Sequence, residues 1–261
     1  MIKAKKSLGQ NFLNDINILK KIINLVNIEG KNILEVGPGT GNLTSLIIKE
    51  KPKKFFAIEK DTKLADRLNE IFKNNVTIIN EDILKIEENF LFDETVTVFG
   101  NLPYNISTEI LSKWILNIKD NFWFDNLILM FQKEVADRII SKFNTKEYGR
   151  LSILANWRLN IKKIFDIKAS SFNPKPKVES TVLFFEPKKN FLRFKDPKNL
   201  EKITRIFFMH RRKMIKKPYK QLFKNDKNIA SQMGINLDLR PQNLNFDIYY
   251  ELTKKYELLG S

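Results

Sequence analysis

The sequence predicts an α/β protein with a mainly parallel sheet, followed by a small, basic and helical C-terminal region. Short apolar runs alternate with amphipathic helical patterns through most of the 261 residues, an order typical of parallel βαβ units. A glycine-rich turn, "GPGTG", follows the first buried run and precedes a helical pattern. Strand patterns stop at about residue 187, beyond which the chain is helical and rich in lysine. We therefore predict two domains, residues 1–187 and residues 188–261.

Each element follows from its own pattern. Apolar residues at helical spacing predict a first helix over residues 15–28. Apolar runs that end in turn or polar residues predict strands at 32–37, 53–61, 76–82, 95–101 and 126–132. Helical patterns after these runs predict helices at 42–50, 62–74, 107–118 and 133–140. A further helix is predicted at 148–159, and it precedes two more strands, at 161–167 and 179–187, of which the second closes the sheet.

The composition excludes several kinds of chemistry. The chain has no cysteine and a single histidine, His210, so disulfides, thiolate nucleophiles and Cys/His zinc sites are excluded. Catalysis is therefore expected to depend on positioning, carboxylates and amides. No apolar run approaches the roughly 20 residues of a membrane-spanning helix, and the basic N-terminus lacks the apolar segment of a signal peptide. We therefore expect a cytoplasmic protein with no membrane partner.

Positive charge is concentrated near the C-terminus. The formal net charge is +16, and residues 186–261 contain 18 Lys and Arg against 8 Asp and Glu. This excess predicts an anionic partner, and nucleic acid is favoured. A bias of composition is the alternative, because the whole chain is rich in Lys, Asn and Ile. In the segment 207–217, which we predict to be helical, Arg211, Arg212 and Lys213 are expected to contact RNA phosphates.

The glycine turn and two carboxylates predict a nucleoside pocket. Gly37 and Gly39 permit a close approach of the backbone to a ligand, but Asn42 stands where the dinucleotide fingerprint closes with Gly or Ala. Glu59 ends the second strand, where an acid can accept hydrogen bonds from ribose hydroxyls. Asp82 ends the third strand, where it could accept a hydrogen bond from an adenine amino group. Together these residues favour a nucleoside ligand other than NAD.

This order of glycine loop, ribose acid and adenine acid resembles that of the class I S-adenosylmethionine-dependent methyltransferases, which have a Rossmann-like sheet. The resemblance implies S-adenosylmethionine as the methyl donor and no metal. A pocket with two carboxylates and no phosphate-binding lysine suits a sulfonium ligand better than a pyrophosphate. An NAD-dependent oxidoreductase remains the alternative, disfavoured by Asn42 and by the absence of an acid–base pair for hydride transfer.

The four residues after the fourth strand carry a second motif. Asn101, Leu102, Pro103 and Tyr104 resemble the (Asn/Asp/Ser)-Pro-Pro-aromatic motif of methyltransferases that modify exocyclic amino groups of bases. The lone pair of an adenine amino group is delocalised into the ring, which makes it a poor nucleophile. The Asn101 side-chain oxygen and the Leu102 carbonyl can accept its two N–H bonds and localise the lone pair. Pro103 fixes the turn, and the Tyr104 ring offers a stacking face for the base.

The whole set of motifs resembles the ribosomal RNA adenine N6,N6-dimethyltransferase family of the kasugamycin-resistance type. The motifs in order are "KKSLGQNFL" (5–13), "LEVGPGTGNLT" (34–44), "IEKD" (58–61), "NED" (80–82), "GNLPYNIST" (100–108), "QKEVADR" (132–138), "YGRLS" (148–152), "FNPKPKVES" (172–180) and "FFMHRRK" (207–213). The resemblance implies dimethylation of two adjacent adenosines of small-subunit rRNA by a monomer acting on a pre-ribosomal particle. An Erm-type large-subunit rRNA methyltransferase and a noncatalytic ribosome assembly factor remain alternatives.

The family resemblance also implies roles for particular residues. Asn11 and Leu13 are expected to close over the donor. Phe172 is expected to stack on the target base opposite Tyr104. The residues expected to line the donor pocket are Gly37, Gly39, Glu59, Asp82 and Asn101.

Overall fold

The computed structural model describes residues 4–5, 8–87, 91–118, 121–224 and 226–259, so Lys6 and Ser7 of the first motif lie outside the described residues. The chain divides into two compact units. The first comprises Met1–Lys113, Ile118–Ala136 and Ile161–Pro187. The second comprises Trp114–Asn117, Asp137–Asn160 and Lys188–Ser261.

Seven strands of the described residues lie close to the predicted positions, and two short strands, β1 and β8, are additional. They are β1 (Phe12–Leu13), β2 (Asn32–Val36), β3 (Lys54–Ile58), β4 (Thr77–Ile79), β5 (Val96–Asn101), β6 (Phe124–Gln132), β7 (Leu159–Ile167), β8 (Phe172–Asn173) and β9 (Ser180–Pro187). The helices are α1 (Ile16–Ile23), α2 (Asn42–Lys49), α3 (Thr62–Phe72), α4 (Ser107–Leu116), α5 (Lys133–Ile140), α6 (Arg150–Arg158), α7 (Lys198–Phe208), α8 (Lys216–Phe223), α9 (Lys227–Gln232) and α10 (Phe246–Leu258). Among these residues, no helix is long and apolar enough to cross a membrane.

The main sheet confirms the predicted α/β fold. Its strand order, among the described residues, is β4-β3-β2-β5-β6-β9-β7. Strands β4, β3, β2, β5 and β6 pair in parallel, and β9 runs antiparallel to β6. All five residues of β2 are buried, as expected for a central strand covered on both faces. A separate antiparallel pair, β1 with β8, was not predicted, because two-residue strands show no periodicity.

Several predicted elements are shorter in the structure, and two of them are described here. The helix predicted over residues 15–28 ends at Ile23, and the apolar residues beyond it pack on the core without helical backbone. The strand predicted over residues 76–82 ends at Ile79, because the next side chains bond elsewhere. Asn80 donates to the Glu59 carbonyl at 2.8 Å, and the Asp82 carboxylate caps a 3-10 turn. Apolar spacing therefore located these segments but not their ends.

The second unit contains a segment that the sequence assigned to residues 1–187. Helix α6 lies there because its residues bond to the C-terminal part of the chain. The Trp157 indole donates to the Leu192 carbonyl at 2.7 Å, and the Tyr250 hydroxyl donates to the Ile153 carbonyl at 3.0 Å. The predicted boundary near residue 187 coincides with one of the points at which the chain leaves the first unit and enters the second. The division into domains 1–187 and 188–261 stays a prediction.

The basic segment after α7 is not the continuous helix that its pattern predicts. Helix α7 ends at Phe208, and α8 begins only at Lys216. Between them, the Ile215 N–H donates to the Leu239 carbonyl at 2.8 Å, and the Ile215 side chain is buried. Residues 209–215 therefore form a turn that is anchored by an apolar side chain, and their charged side chains extend from a loop.

Candidate active site

The carboxyl ends of three neighbouring strands bring the predicted site residues together. The register pairs Val36 of β2 with Ile58 of β3 and with Gly100 of β5. The residues that come next are Gly37, Glu59 and Asn101, so all three lie at one edge of the parallel sheet. They line one cavity of the first unit, together with residues 8–12, Gly39, Lys60 and residues 102–106.

The glycine turn leaves no room for larger side chains. Gly37 and Gly39 have φ of +72° and +58°, a backbone conformation that favours glycine. A Cβ on Gly37 would lie 3.2 Å from the Asn101 carbonyl oxygen, and one on Gly39 would lie 2.7 Å from the Phe12 ring. The two glycines thus allow the turn to approach both the strand end of β5 and the N-terminal segment.

Glu59 is held rigidly at the wall of the cavity. Its side chain is 6% exposed, and its two carboxylate oxygens accept the N–H groups of Gly39 at 3.1 Å and Asp61 at 2.9 Å. Burial raises the pKa of Glu59, and the two N–H bonds oppose this rise. Each oxygen retains a second lone pair, so the carboxylate can still accept hydrogen bonds from a diol.

A second buried carboxyl, Glu35, lies below the glycine turn and was not singled out from the sequence. It is fully buried in β2, and the Thr44 hydroxyl of α2 donates to it at 2.7 Å. Burial raises the pKa of Glu35 to about 8, the Thr44 bond opposes this, and the charge of Glu59 adds to the rise. Glu35 therefore carries a proton for much of the time at neutral pH and ties β2 to α2.

Asp82 lies outside the lining of the cavity and is linked to it through Lys60. The Lys60 ammonium, whose residue lines the cavity, pairs with the Asp82 carboxylate at 2.7 Å. Partial burial by itself raises the pKa of Asp82, but Lys60 and the Leu84 N–H lower it, and the net shift is downward. The predicted contact of Asp82 with an adenine amino group stays a prediction.

Residues 8–13 are here called the N-terminal strap; residues 8–12 line the cavity, and hydrogen bonds from this part of the chain reach a buried acid. The Lys5 ammonium and the Gln10 amide donate to the two oxygens of the Asp61 carboxylate at 2.8 and 3.0 Å. Asp61 is only 4% exposed. Burial raises the pKa of Asp61, yet Lys5 and Gln10 outweigh it, so the pKa lies below the usual value and the acceptor stays ionised at neutral pH.

Two asparagines join the strap to the rest of the site. The Asn101 Nδ2 donates to the Asn11 carbonyl at 2.9 Å, which orients the amide and leaves Oδ1 as its acceptor side. The Asn42 Nδ2 donates to the Leu13 carbonyl at 2.9 Å. Asn42 is the residue that departs from the dinucleotide pattern, and its contact with the strap explains why a side chain is needed there.

The turn after β5 sets the Tyr104 ring against the cavity. The Ile106 N–H donates to the Pro103 carbonyl at 3.1 Å, which closes the turn before α4. The Tyr104 side chain is half-buried, and its hydroxyl lies 2.5 Å from the Ser180 Oγ. Burial raises the pKa of Tyr104, and the bond to Ser180 offsets part of the rise. The phenol is therefore neutral at physiological pH, and the ring is held at its far end.

Phe172 and Leu13 lie in the core instead of in the lining of the cavity. Both are 4% exposed, and they face each other in the β1–β8 pair. In this conformation the Phe172 ring is not accessible to a base. Its predicted stacking opposite Tyr104, and the predicted contact of Leu13 with the donor, stay predictions. Leu13 does bring the strap into register with β8.

The three predicted RNA-binding residues divide into two kinds in the second unit. The Arg211 Nη2 donates to the carbonyls of Lys146 at 2.7 Å and Tyr148 at 3.2 Å, and to the Gln242 side chain at 3.2 Å. Arg212 and Lys213 are exposed and line a basic groove. The other residues of this groove include His210, Lys216, Lys217 and Arg240, of which Arg240 was not found from the sequence.

The fold and the cavity together define a class I S-adenosylmethionine-dependent methyltransferase. In the sheet, five strands pair in parallel and β9 is added antiparallel beside β6. The glycine turn, Glu59 and the Asn-Leu-Pro-Tyr turn share one cavity. The donor set fits the ligand, since a carboxylate fixed by two N–H groups suits ribose hydroxyls and the glycines admit a closely packed ligand. Among the described residues, no three His, Cys, Asp or Glu side chains are grouped so as to hold a metal ion.

The chain belongs to the ribosomal RNA adenine dimethylase family, whose model matches residues 1–257. A Pelagibacter ubique protein named ribosomal RNA small subunit methyltransferase A is 62% identical over 256 residues, 98% of each chain. A Wolbachia protein of the same name is 39% identical over 99% of this chain and 96% of its own. The family assignment confirms the predicted resemblance and excludes the NAD-dependent oxidoreductase.

Solved structures agree with this assignment. A dimethyladenosine transferase from Plasmodium falciparum superimposes with a TM-score of 0.77 at 26% identity, covering 95% of this chain and 98% of that one. The 23S rRNA methyltransferase ErmE superimposes with a TM-score of 0.68 at 20% identity, covering 94% and 99%. The second likeness concerns the fold alone.

We expect Glu59→Ala to weaken S-adenosylmethionine binding by about 1.5–3 kcal/mol, because the ribose hydroxyls lose the acceptor that two N–H groups hold in place. Isothermal titration calorimetry measures this loss. Glu94→Ala is the control, since Glu94 pairs with Lys53 at an exposed position outside the cavity. Donor affinity equal to that of the parent protein would contradict the assignment of Glu59 to the donor pocket.

We expect the double variant Lys5→Met, Gln10→Ala to release the donor on the order of 10-fold faster, because the strap loses two hydrogen bonds to a charged acceptor. Asp61 itself is kept, since it also caps α3. Stopped-flow measurement of donor dissociation is the readout, and Lys53→Met, which breaks an exposed ion pair elsewhere, is the control. If the double variant releases the donor at the same rate as the parent protein, the hydrogen bonds of Lys5 and Gln10 to Asp61 do not retain the ligand.

Proposed function

We propose that this protein transfers methyl groups from S-adenosylmethionine to N6 of adenosines in small-subunit rRNA and dimethylates two adjacent adenosines. The observation that carries the proposal is the Asn101 amide. Its Nδ2 is occupied by the Asn11 carbonyl, so its Oδ1 is the acceptor available to an amino group. The same cavity contains the fixed Glu59 carboxylate, and the chain belongs to a family described as ribosomal RNA adenine dimethylases.

Hydrogen-bond acceptors in the turn activate the amino group. Asn101 Oδ1 and the Leu102 carbonyl accept its two N–H bonds, which draws the nitrogen toward tetrahedral geometry and localises its lone pair. The Leu102 side chain is 1% exposed, which fixes the backbone that carries this carbonyl. Stacking of the base on the Tyr104 ring contributes roughly 1–3 kcal/mol. The enzyme thus orients a weak nucleophile without a general base.

The donor pocket is assigned to the glycine turn, Glu59 and the strap. When bound, S-adenosylmethionine supplies an electrophilic methyl group on a sulfonium. Glu59 holds the ribose hydroxyls, and the strap residues Asn11 and Phe12 exclude water from the cavity. The nitrogen that gains the methyl group becomes acidic and loses its proton to water or to a neighbouring carbonyl. Proximity and fixed dipoles supply most of the rate enhancement.

The setting of the reaction is inferred from charge and from relatives. The relatives that are 62% and 39% identical are named as small-subunit methyltransferases. We infer a cytoplasmic monomer that acts on a pre-ribosomal particle and has no membrane partner. The basic groove of the second unit, with Arg212, Lys213 and Arg240, is assigned to the phosphates of rRNA. An additional role in assembly of the small subunit is compatible with these contacts.

Methylation of isolated ribosomal particles tests the proposal directly. With labelled donor, we expect incorporation into small-subunit particles that lack this modification and none into large-subunit particles. The product is identified as N6,N6-dimethyladenosine by mass spectrometry of the digested rRNA. Incorporation into large-subunit particles would support the Erm-type alternative. Binding of the particle with no incorporation would support the noncatalytic assembly factor.

We expect Asn101→Ala to lower kcat by about 10²–10³, because one fixed acceptor of the amino group is lost. Single-turnover methylation of the small-subunit particle is the measurement. Asn75→Ala is the control, because the Asn75 amide donates to the nearby Phe72 carbonyl at an exposed position outside the cavity. Near-normal turnover of Asn101→Ala would disprove activation through this amide.

We expect Arg212→Gln, Lys213→Gln to weaken binding to the particle and to flatten the slope of log K against log salt by about 2, if both side chains touch phosphate. Arg211→Gln should instead lower the melting temperature, because the carbonyls of Lys146 and Tyr148 lose their donor. Filter binding over a range of salt and thermal melting measure the two effects. An unchanged affinity and slope for the double variant would exclude this groove from RNA docking.

A further inference from the structure

A residue far along the chain holds the ring on which the base is expected to stack. The Tyr104 hydroxyl lies 2.5 Å from the Ser180 Oγ, and either atom could be the donor. Tyr104 lines the cavity, whereas Ser180 is 0% exposed and does not line it. The two residues are 76 positions apart, so their contact exists only in the folded chain.

Ser180 is placed by the ladder of the main sheet. It is the first residue of β9 and pairs with Gln132, the last residue of β6. Because side chains alternate along a strand, its neighbour Thr181 points to the opposite face, and its other neighbour, Glu179, immediately precedes the strand.

Those two neighbours are fixed by an ion cluster. Glu179 pairs with Lys133 at 2.8 Å, and the Thr181 hydroxyl donates to Asp166 at 2.7 Å. Lys133 also pairs with Asp166 at 3.3 Å, which closes the cluster. The strand end that carries Ser180 is therefore tied on both sides of that residue, and its hydroxyl is a rigid point of attachment.

Tyr104 needs such an attachment because of where it stands. It lies in a turn between β5 and α4, and its ring turns about two side-chain torsions. The hydroxyl is at the far end of the ring, so a bond there limits the direction in which the ring points. If the Tyr104 ring keeps one orientation, a base stacked on it stays at a constant distance from the Asn101 Oδ1.

We propose that Ser180 is a positioning residue for methyl transfer. It fixes the orientation of the Tyr104 ring through the contact between the two hydroxyl groups. This inference rests on the proposed function. Its consequence differs between the two methylations of one adenosine. The unmodified amino group has two N–H bonds for Asn101 and Leu102, whereas the monomethylated group has one. The second transfer therefore depends more on the ring than the first.

The test is a cycle of Ser180→Ala, Tyr104→Phe and the double variant, assayed on small-subunit particles with saturating donor. We expect each single variant to lower kcat about 10-fold with KM changed less than about twofold, because the reacting nitrogen is misplaced by a fraction of an ångström. The ratio of monomethyladenosine to dimethyladenosine should rise. The double variant should be no slower than either single variant, because both remove the same contact. Ser180→Thr, which keeps a hydroxyl, should restore most of the rate.

Ser141→Ala is the matched control, because it removes a buried serine hydroxyl that donates to the Arg138 carbonyl and does not line the cavity. It should leave the product ratio as in the parent protein. The inference is overturned if Ser180→Ala has the parental rate and product ratio, if the losses of the two single variants multiply, or if Ser141→Ala reproduces the product ratio of Ser180→Ala. Should Ser180→Ala fold poorly, Tyr104→Phe and Ser180→Thr still decide the question. Failure of the parent protein to methylate the particle would instead refute the proposed function.

Discussion

The site depends on one buried carboxylate, that of Glu59. Its two oxygens accept N–H groups from the glycine turn and from Asp61, so it fixes the distance between the ends of β2 and β3. Asp61 in turn accepts Lys5 and Gln10 and thereby holds the strap. Burying a carboxyl group whose oxygens lack hydrogen bonds would destabilise the fold. The backbone N–H groups supply those hydrogen bonds, and the same contacts shape the cavity. Stability and the shape of the cavity therefore depend on the same contacts.

One hydrogen bond joins the strap to the Asn101 amide. Asn11 lines the cavity, and its carbonyl oxygen accepts the Asn101 Nδ2 at 2.9 Å. This bond distinguishes the oxygen of the amide from its nitrogen, so the orientation of the proposed acceptor depends on the N-terminal segment.

Basic residues in the second unit are placed in two different ways. The planar Arg211 guanidinium donates to two backbone carbonyls, for which its several N–H donors are well suited. Arg212 and Lys213 have exposed side chains that line the basic groove. These three consecutive residues contribute equally to the net charge. They differ in burial and bonding because residues 209–215 form a turn that directs the Arg211 side chain inward.

The sequence by itself determined the α/β class with its parallel strands, the family and many of the residues that line the cavity. Glycines, strand-end acids and the Asn-Leu-Pro-Tyr turn are local patterns, and parallel strands bring their carboxyl ends to one edge. It did not determine the contacts that join distant segments: Asp61 with Lys5 and Gln10, Asn101 with Asn11, and Tyr104 with Ser180. It also did not indicate that Phe172 is buried in the core or that Glu35 keeps a proton. Burial and side-chain pairing depend on what packs above a residue, and only the tertiary structure decides that.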